Sequence, residues 1–171
     1  MTVTIIVIGL IAGSMAIALK EKGFAGKVIG VDANPLHQQK ALELRLVDEV
    51  LPLEEAIAAC DLGILAVPVN VAEQLLPVIL GMVDQQVLMD VGSTKEGLLT
   101  AIAQHPKRGR FVATHPMWGT EYSGPEAAVS GAFLDKATVI CNKEQNDADA
   151  IALVEKVYKE LGMHLIYMNA K

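Results

Sequence analysis

The sequence has few cysteines and fewer basic than acidic residues. Its 171 residues include two cysteines, Cys60 and Cys141, and no Cys-x-x-Cys or cysteine–histidine cluster has the spacing of metal ligands. Fourteen lysines and arginines against twenty aspartates and glutamates give a net charge of −6, which would repel the phosphates of a nucleic acid. We therefore expect a cytoplasmic protein with reduced, buried thiols, no metal site and no nucleic-acid partner.

The first uncharged run is neither a typical signal peptide nor a typical membrane span. Residues 1–19 carry no charge, but no lysine or arginine precedes them, and Gly9 interrupts the run before about 20 apolar residues are reached. Val3–Ile8 is rich in β-branched residues, as in a buried parallel strand. Ala12–Lys22 consists of good helix formers and ends before Gly23, a typical helix cap. We therefore predict a strand, a turn and a helix, and no membrane segment.

Apolar runs and amphipathic segments then alternate along the chain, which is the pattern of βαβ units. Further strands are predicted at Lys27–Asp32, Leu62–Pro68, Gln85 or Gln86 to Asp90, Arg110–Thr114, Ala137–Cys141 and His164–Met168. Helices are predicted at Pro35–Arg45, Leu53–Ala59, Val71–Met82, Lys95–Gln104 and Asp147–Leu161. The pattern predicts one α/β dinucleotide-binding domain over residues 1–171, with a Rossmann-type doubly wound, mostly parallel sheet and helices on both faces.

The first strand-to-helix turn is a candidate dinucleotide site, because helix N-terminal amides and the helix dipole favour a pyrophosphate. In the fingerprint G-x-G-x-x-G/A, Ala12 would take the third place, Gly9 the second and Val7 the first, where valine is a departure. A turn shortened by two residues, with Gly9 in the first place, fits the strand equally well. A strand-to-helix turn without any nucleotide is the third interpretation.

Asp32 ends the second predicted strand, 20 residues after Ala12. An acid at this place accepts hydrogen bonds from both ribose hydroxyls and repels a 2′-phosphate. The sequence therefore favours NAD over NADP as the cofactor, although an aspartate before Asn34-Pro35 is also a common turn residue.

Two polar segments follow later strands, DVGSTK at 90–95 and THPMWGTEYSGPEAA at 114–128. Ligands of open α/β sheets collect at the carboxyl ends of strands, and imidazole is the side chain whose ordinary pKa lies near neutrality. His115 is therefore the candidate acid–base group, whereas Ser93 or Thr94 could simply cap the next helix. The other histidines lack such neighbours and are predicted to be surface or packing residues: His37, His105 and His164.

Several segments spread along the chain carry a more specific signal. They are GLIAGSMAIALKEKG, D-x-N-P at 32–35, LVDEV at 46–50, AVP at 66–68, DVGSTK, HPMWGTEYSGPEAA and GMHLIYM. In this order they resemble the prephenate and arogenate dehydrogenases of tyrosine biosynthesis, over essentially the whole chain. HPM-x-GTE-x-SG after DVGS-x-K is specific to this family among Rossmann enzymes. Trp118 is a departure, because the family commonly has a small residue there.

The resemblance implies oxidation of the substrate's ring alcohol by hydride transfer to NAD, with loss of the ring carboxylate as carbon dioxide. Prephenate would give 4-hydroxyphenylpyruvate, and arogenate would give tyrosine. By resemblance, His115 would accept the proton of the alcohol, and Ser93 would hold the imidazole or the alcohol in place. The residues expected at NAD are Gly9, Leu10, Ile11, Ala12, Asp32, Val67 and Pro68, and those expected at the substrate are Ser93, His115, Thr120 and Glu121.

Family members continue from a segment like Gly162–Lys171 into a helical domain that dimerises and completes the substrate site. We therefore expect the nucleotide-binding half of a longer, homodimeric enzyme, inactive on its own, or a chain whose missing part is supplied elsewhere. Two further functions stay open: a noncatalytic NAD-binding module, and another Rossmann oxidoreductase that acts on a β-hydroxy acid or an imine.

Overall fold

A computed structural model describes residues 1–7, 10–92, 95–116 and 137–168, without the side chains of residues 10, 11 and 69. The strands are β1 Thr2–Ile6, β2 Lys27–Val31, β3 Glu49–Val50, β4 Leu62–Leu65, β5 Val87–Asp90, β6 Phe111–Pro116, β7 Ala137–Cys141 and β8 His164–Met168. The α-helices of the described residues are α1 Leu10–Glu21, α2 Pro35–Glu43, α3 Leu53–Ala59, α4 Val69–Met82, α5 Glu96–Ile102 and α6 Ala148–Glu160.

The eight strands form one sheet in the order β3-β2-β1-β4-β5-β6-β7-β8. The strands from β3 to β6 are all parallel to their neighbours. β7 is antiparallel to β6, and β8 is parallel to β7. The chain moves outward from β1 in one direction to β3 and then returns to build β4, β5 and β6 on the other side. This reversal beside β1 is the switch point of a doubly wound sheet, so the predicted fold class is confirmed.

The predicted elements agree with the structure except at their ends. α3, β7 and β8 have the predicted bounds. α2 ends at Glu43 instead of Arg45, because Arg45 has a left-handed φ of +60° that cannot continue a helix. α1 begins at Leu10 instead of Ala12, and β4 ends at Leu65 instead of Pro68. β3 was not predicted, because two residues are too few to show an alternating pattern.

Apolar side chains form two buried clusters, one on each face of the sheet. On one side, Val112 of β6 belongs to the same buried cluster as Tyr158 of α6 and Met15 of α1. On the other side, Phe111 and Ala113 of β6 pack in a cluster with α3, α4 and α5. Alternate residues of a strand face opposite sides, so this division also decides which helices each polar residue at a strand end faces.

Both cysteines are buried and free, as predicted. Burial raises the pKa of Cys60 and of Cys141, which keeps the thiols protonated and poorly nucleophilic. Among the described residues, no helix combines the length and the apolar character needed to cross a membrane.

Candidate functional site

The carboxyl ends of the parallel strands meet along one edge of the sheet. Val7 follows β1, Asp32 follows β2, Asp90 ends β5, and His115 is the penultimate residue of β6. Because these strands are parallel, the four residues lie at the same edge, where α1 also begins. Asp32 and His115, which were both singled out at the ends of predicted strands, therefore share this edge.

The turn after β1 has an unusual backbone at Val7. This residue has a φ of +67°, although β-branched side chains rarely adopt the left-handed region. Its N–H donates to the carbonyl oxygen of Val31 at 2.7 Å, which holds the turn against β2. A positive φ at the end of the first strand is what the first glycine of the fingerprint normally supplies.

The start of α1 agrees with the same alignment of the fingerprint. The helix begins at Leu10, and Ala12 is fully buried. The third place of the fingerprint needs a small residue because helix and strand pack closely there. The positive φ of Val7 is compatible with the alignment that has Val7 first, and Ala12 takes the third place in both alignments that the sequence leaves open. Gly9 and the side chains of Leu10 and Ile11 lie outside the described residues.

Asp32 is held in a tight turn at the end of β2, with 6% of its side chain exposed. Its Oδ1 accepts a hydrogen bond from the N–H of Asn34 at 2.9 Å. Asn34 in turn caps α2, since its Oδ1 accepts from the N–H of Leu36 at 2.9 Å. The cap of the helix thus fixes the orientation of the carboxylate.

His37 is a neighbour of this carboxylate that sequence reasoning missed. Its Nδ1 lies 3.4 Å from Oδ2 of Asp32, and its side chain is 39% exposed. The exposure agrees with the prediction of a surface or packing residue, and the contact with Asp32 is an addition to it. The signal was its place three residues after the cap Asn34, from which a side chain reaches back to the helix start.

A buried ion pair lies at the end of β5, where Lys95 donates to Oδ2 of Asp90. Both side chains are 4% exposed. The carboxylate also accepts from the N–H of Gly92 at 3.3 Å and from the N–H of Thr114 at 3.1 Å. Burial raises the pKa of Asp90, whereas Lys95 and the two amides act in the opposite direction. The sequence analysis placed both residues in a candidate motif but assigned neither of them a role.

Thr114 extends this polar network to the other side of the sheet. Its hydroxyl donates to the carbonyl oxygen of Asp90 at 2.6 Å and accepts from the hydroxyl of Tyr158 at 2.6 Å. Tyr158 is fully buried, and burial raises its pKa, so the phenol is protonated. The residue before His115 is therefore anchored to β5 and to α6.

His115 is half-buried and lies opposite Val139 of β7. Burial lowers the pKa of its imidazole, the ammonium of Lys95 lowers it further, and Asp90 raises it. The neutral ring is therefore favoured at neutral pH, which is the form that a general base requires. Its Nδ1 is buried and has no hydrogen-bond partner within the described part of the chain. A polar group of a ligand or of an adjoining segment would satisfy this atom.

The other predicted site residues divide into two groups. Half-buried Val67 and exposed Pro68 lie between β4 and α4, at the same edge as His115. The carbonyl oxygen of Pro68 accepts from the N–H groups of residues 71 and 72 and so begins α4. The remaining ones lie outside the described residues: Ser93, Thr94, Trp118, Thr120 and Glu121.

Comparison with known proteins shows which family the chain belongs to. A model described as "Prephenate dehydrogenase, nucleotide-binding domain" matches residues 15–167. The chain belongs to this family. The match includes β2, β5 and β6, whose ends carry Asp32, Asp90 and His115.

Relatives of known sequence and structure agree with this assignment. The chain is 28% identical to a prephenate dehydrogenase of Bacillus subtilis over 176 residues, which covers 98% of the chain and 46% of that protein. It is 29% identical to a cyclohexadienyl dehydrogenase of Zymomonas mobilis over 174 residues, which covers 99% of the chain and 58% of that protein. The chain thus spans about half the length of these relatives.

A solved structure shows the same fold. The crystal structure of prephenate dehydrogenase from Aquifex aeolicus in complex with hydroxyphenyl propionate and NAD+ superposes with a TM-score of 0.87 at 27% identity. The superposition covers 99% of the chain and 60% of that protein. Four strand spacings separate β2 from β6, which is about 19 Å along the edge. This distance separates the strand ends that carry Asp32 and His115.

Proposed function

We propose that the chain is the nucleotide-binding half of an NAD-dependent dehydrogenase that oxidises the ring alcohol of prephenate or arogenate, with loss of the ring carboxylate as carbon dioxide. The observation that carries the proposal is His115, whose neutral form is favoured, at the same sheet edge as the acid Asp32. Family membership and the NAD+-bound relative support the same assignment.

The described residues fit NAD at two places. The carboxylate of Asp32 offers acceptor oxygens to a ribose diol and a negative charge against a 2′-phosphate. The start of α1 offers backbone amides and a helix dipole to a pyrophosphate, and Ala12 has the small side chain that this turn requires. We propose that Gly9, Leu10, Ile11, Val67 and Pro68 complete the contacts with the cofactor.

His115 would act as the general base in this reaction. NAD, when bound, supplies the hydride acceptor. The neutral imidazole of His115 accepts the proton of the ring alcohol, and we propose that Ser93 orients this ring or the alcohol. The ring dienone of the substrate serves as the electron sink for the loss of carbon dioxide, so decarboxylation needs no further group of this chain. Thr120 and Glu121 are proposed substrate contacts.

A noncatalytic NAD-binding module is the second candidate function. The observation that favours it is Val7, whose side chain and positive φ stand where the fingerprint normally has glycine. A nucleotide bound weakly at such a turn could serve sensing or partner binding instead of turnover. The catalytic proposal also needs a helical domain, and it implies a homodimeric enzyme that acts in the cytoplasm. The noncatalytic module requires neither the helical domain nor the homodimer.

Turnover assays separate the two functions. NADH formation is measured with prephenate and with arogenate, for the chain alone and for the chain fused at Lys171 to the helical domain of a family member. Turnover by the fused protein is expected, and the same fusion with His115→Asn is the control. NAD binding without turnover in either arrangement would support the noncatalytic module.

A further inference from the structure

We infer that the buried pair of Lys95 and Asp90 tunes the protonation of the His115 imidazole, with the ammonium opposing and the carboxylate favouring the imidazolium, and with Lys95 as the positioning residue. The inference rests on the proposed role of His115 as the general base. Three observations support it. The three side chains share one side of the sheet, the two charges of the pair have different hydrogen-bond partners, and no other charge among the described residues acts on His115.

The three side chains lie on the same side of the sheet. Leu88 of β5 and Ala113 of β6 pack in the cluster that contains Leu98 and Ile102 of α5. Side chains two residues apart on a strand share a face, so Asp90 and His115 also face α5. Lys95 immediately precedes α5 and binds Asp90.

The positive charge of Lys95 has fewer hydrogen-bond partners among the described residues than the negative charge of Asp90. Asp90 accepts hydrogen bonds from three donors, namely Lys95 and the amides of Gly92 and Thr114. Within the described residues, Lys95 has one recorded acceptor, which is Asp90. The two amide dipoles offset part of the negative charge of Asp90, so the charge of Lys95 is the less screened of the two. In agreement, Lys95 lowers the pKa of His115 more strongly than Asp90 raises it.

The other titratable groups around His115 do not supply this field. Cys141 of β7 and Tyr158 of α6 are neutral, since burial raises the pKa of both groups. Glu73 of α4 lies against Gly97 of α5, and Glu96 is exposed at the helix start. In the described part of the chain, Lys95 and Asp90 are the charged groups that act on His115.

The consequence for the proposed reaction is a ring that begins each turnover in its basic form. An imidazolium near the ammonium of Lys95 is disfavoured by like charge. Burial is the larger cause of the lowered pKa of His115, and the ammonium of Lys95 adds to it.

The test is a titration of the histidine ring signals by NMR, on the chain without cofactor or substrate. The His115 signal is assigned by its loss in His115→Asn. Lys95→Met is expected to raise the titration midpoint, and Asp90→Asn is expected to lower it, each by on the order of one pH unit. Lys95→Arg is expected to stay near the wild-type midpoint. Lys40→Met removes an exposed lysine on α2 and is the matched control, for which no shift is expected.

Opposite shifts in the two variants distinguish the inference from a merely structural role. Shifts of the same sign, or no shift in either variant, would overturn it. If Lys95→Met does not fold, Asp90→Asn decides alone, and an unchanged or raised midpoint in that variant overturns the inference.

Kinetic measurements test the proposed function separately from the titration. In the fused enzyme, the acid limb of the kcat/KM profile is expected to follow the same shifts. Opposite NMR shifts together with full turnover by His115→Asn would refute the catalytic role of His115 and leave the effect of the pair on its protonation established.

Discussion

Val7 offers a direct test of the turn that would hold the pyrophosphate. Its φ of +67° places an L residue in the left-handed region, at a cost of about 1–2 kcal/mol for a residue with a Cβ. Glycine escapes this cost but loses about 0.5–1 kcal/mol in backbone entropy relative to alanine. We therefore compare Val7→Gly with Val7→Ala, because both variants remove the two γ-methyl groups of the half-buried side chain and differ only in the Cβ.

The difference in the free energy of unfolding between the two variants changes sign with the conformation of the turn. At an ordinary negative φ, the alanine variant would be more stable by about 0.5–1 kcal/mol. At the φ of Val7, relief of strain opposes the entropy term, and the glycine variant should be more stable by up to about 1.5 kcal/mol. Urea unfolding of both variants in the same buffer measures the difference in the free energy of unfolding.

The same variants report on the proposed cofactor site. Val7→Gly removes the Cβ from the first place of the fingerprint, so NAD should bind more tightly than to the wild type, and Val7→Ala should give a smaller gain. An alanine variant more stable than the glycine variant would refute the left-handed turn. Equal NAD affinity in all three proteins would refute the assignment of this turn to the pyrophosphate.

Three other predictions concern Asp32 and His115. The chain should bind NAD more tightly than NADP in calorimetry, and Asp32→Ala should shrink this difference; equal affinity of the unmodified chain for both would contradict the assignment. His115→Asn should preserve the melting temperature and NAD affinity but lower turnover of the fused enzyme by about a hundredfold to ten-thousandfold. Ser93→Ala should lower turnover less by itself and should lower it little further in the His115→Asn variant. A lower melting temperature of His115→Asn with normal turnover per folded molecule would contradict a catalytic role. Because burial and Lys95 lower the pKa of His115 in the folded state, the unfolded chain binds the extra proton first as pH falls below about 6.5, so stability should decrease from there down to the folded-state pKa. Denaturation at stepwise pH should show a smaller decrease in His115→Asn than in the wild type.

Much of the fold could be predicted from local patterns. The apolar runs at β7 and β8 and the helix-forming segment at α3 have the predicted bounds, because runs of strand-forming or helix-forming residues are a local signal in the sequence. The ends were less predictable. Arg45 ends α2 through its left-handed φ, which nothing in its own chemistry announces.

The candidate site was predictable where a residue type stands at a strand end. Asp32 and His115 were both singled out in this way, and both lie at the common edge. The resemblance to a family supplied the proposed roles of Ser93, Thr120 and Glu121, which lie outside the described residues.

Sequence alone determined the segments that form the helices and every described strand except β3, the family, and the candidates Asp32 and His115, because these depend on local periodicity and on short motifs. Only the tertiary structure decided that His37 contacts Asp32 and that Lys95 pairs with Asp90 on the side of the sheet that His115 faces. The physical reason is that these contacts depend on helix direction, strand order and the alternation of side chains across β5 and β6. Residues 90 and 115 become neighbours only when two strands pair, and the charges that govern a titrating ring act through space and not along the chain.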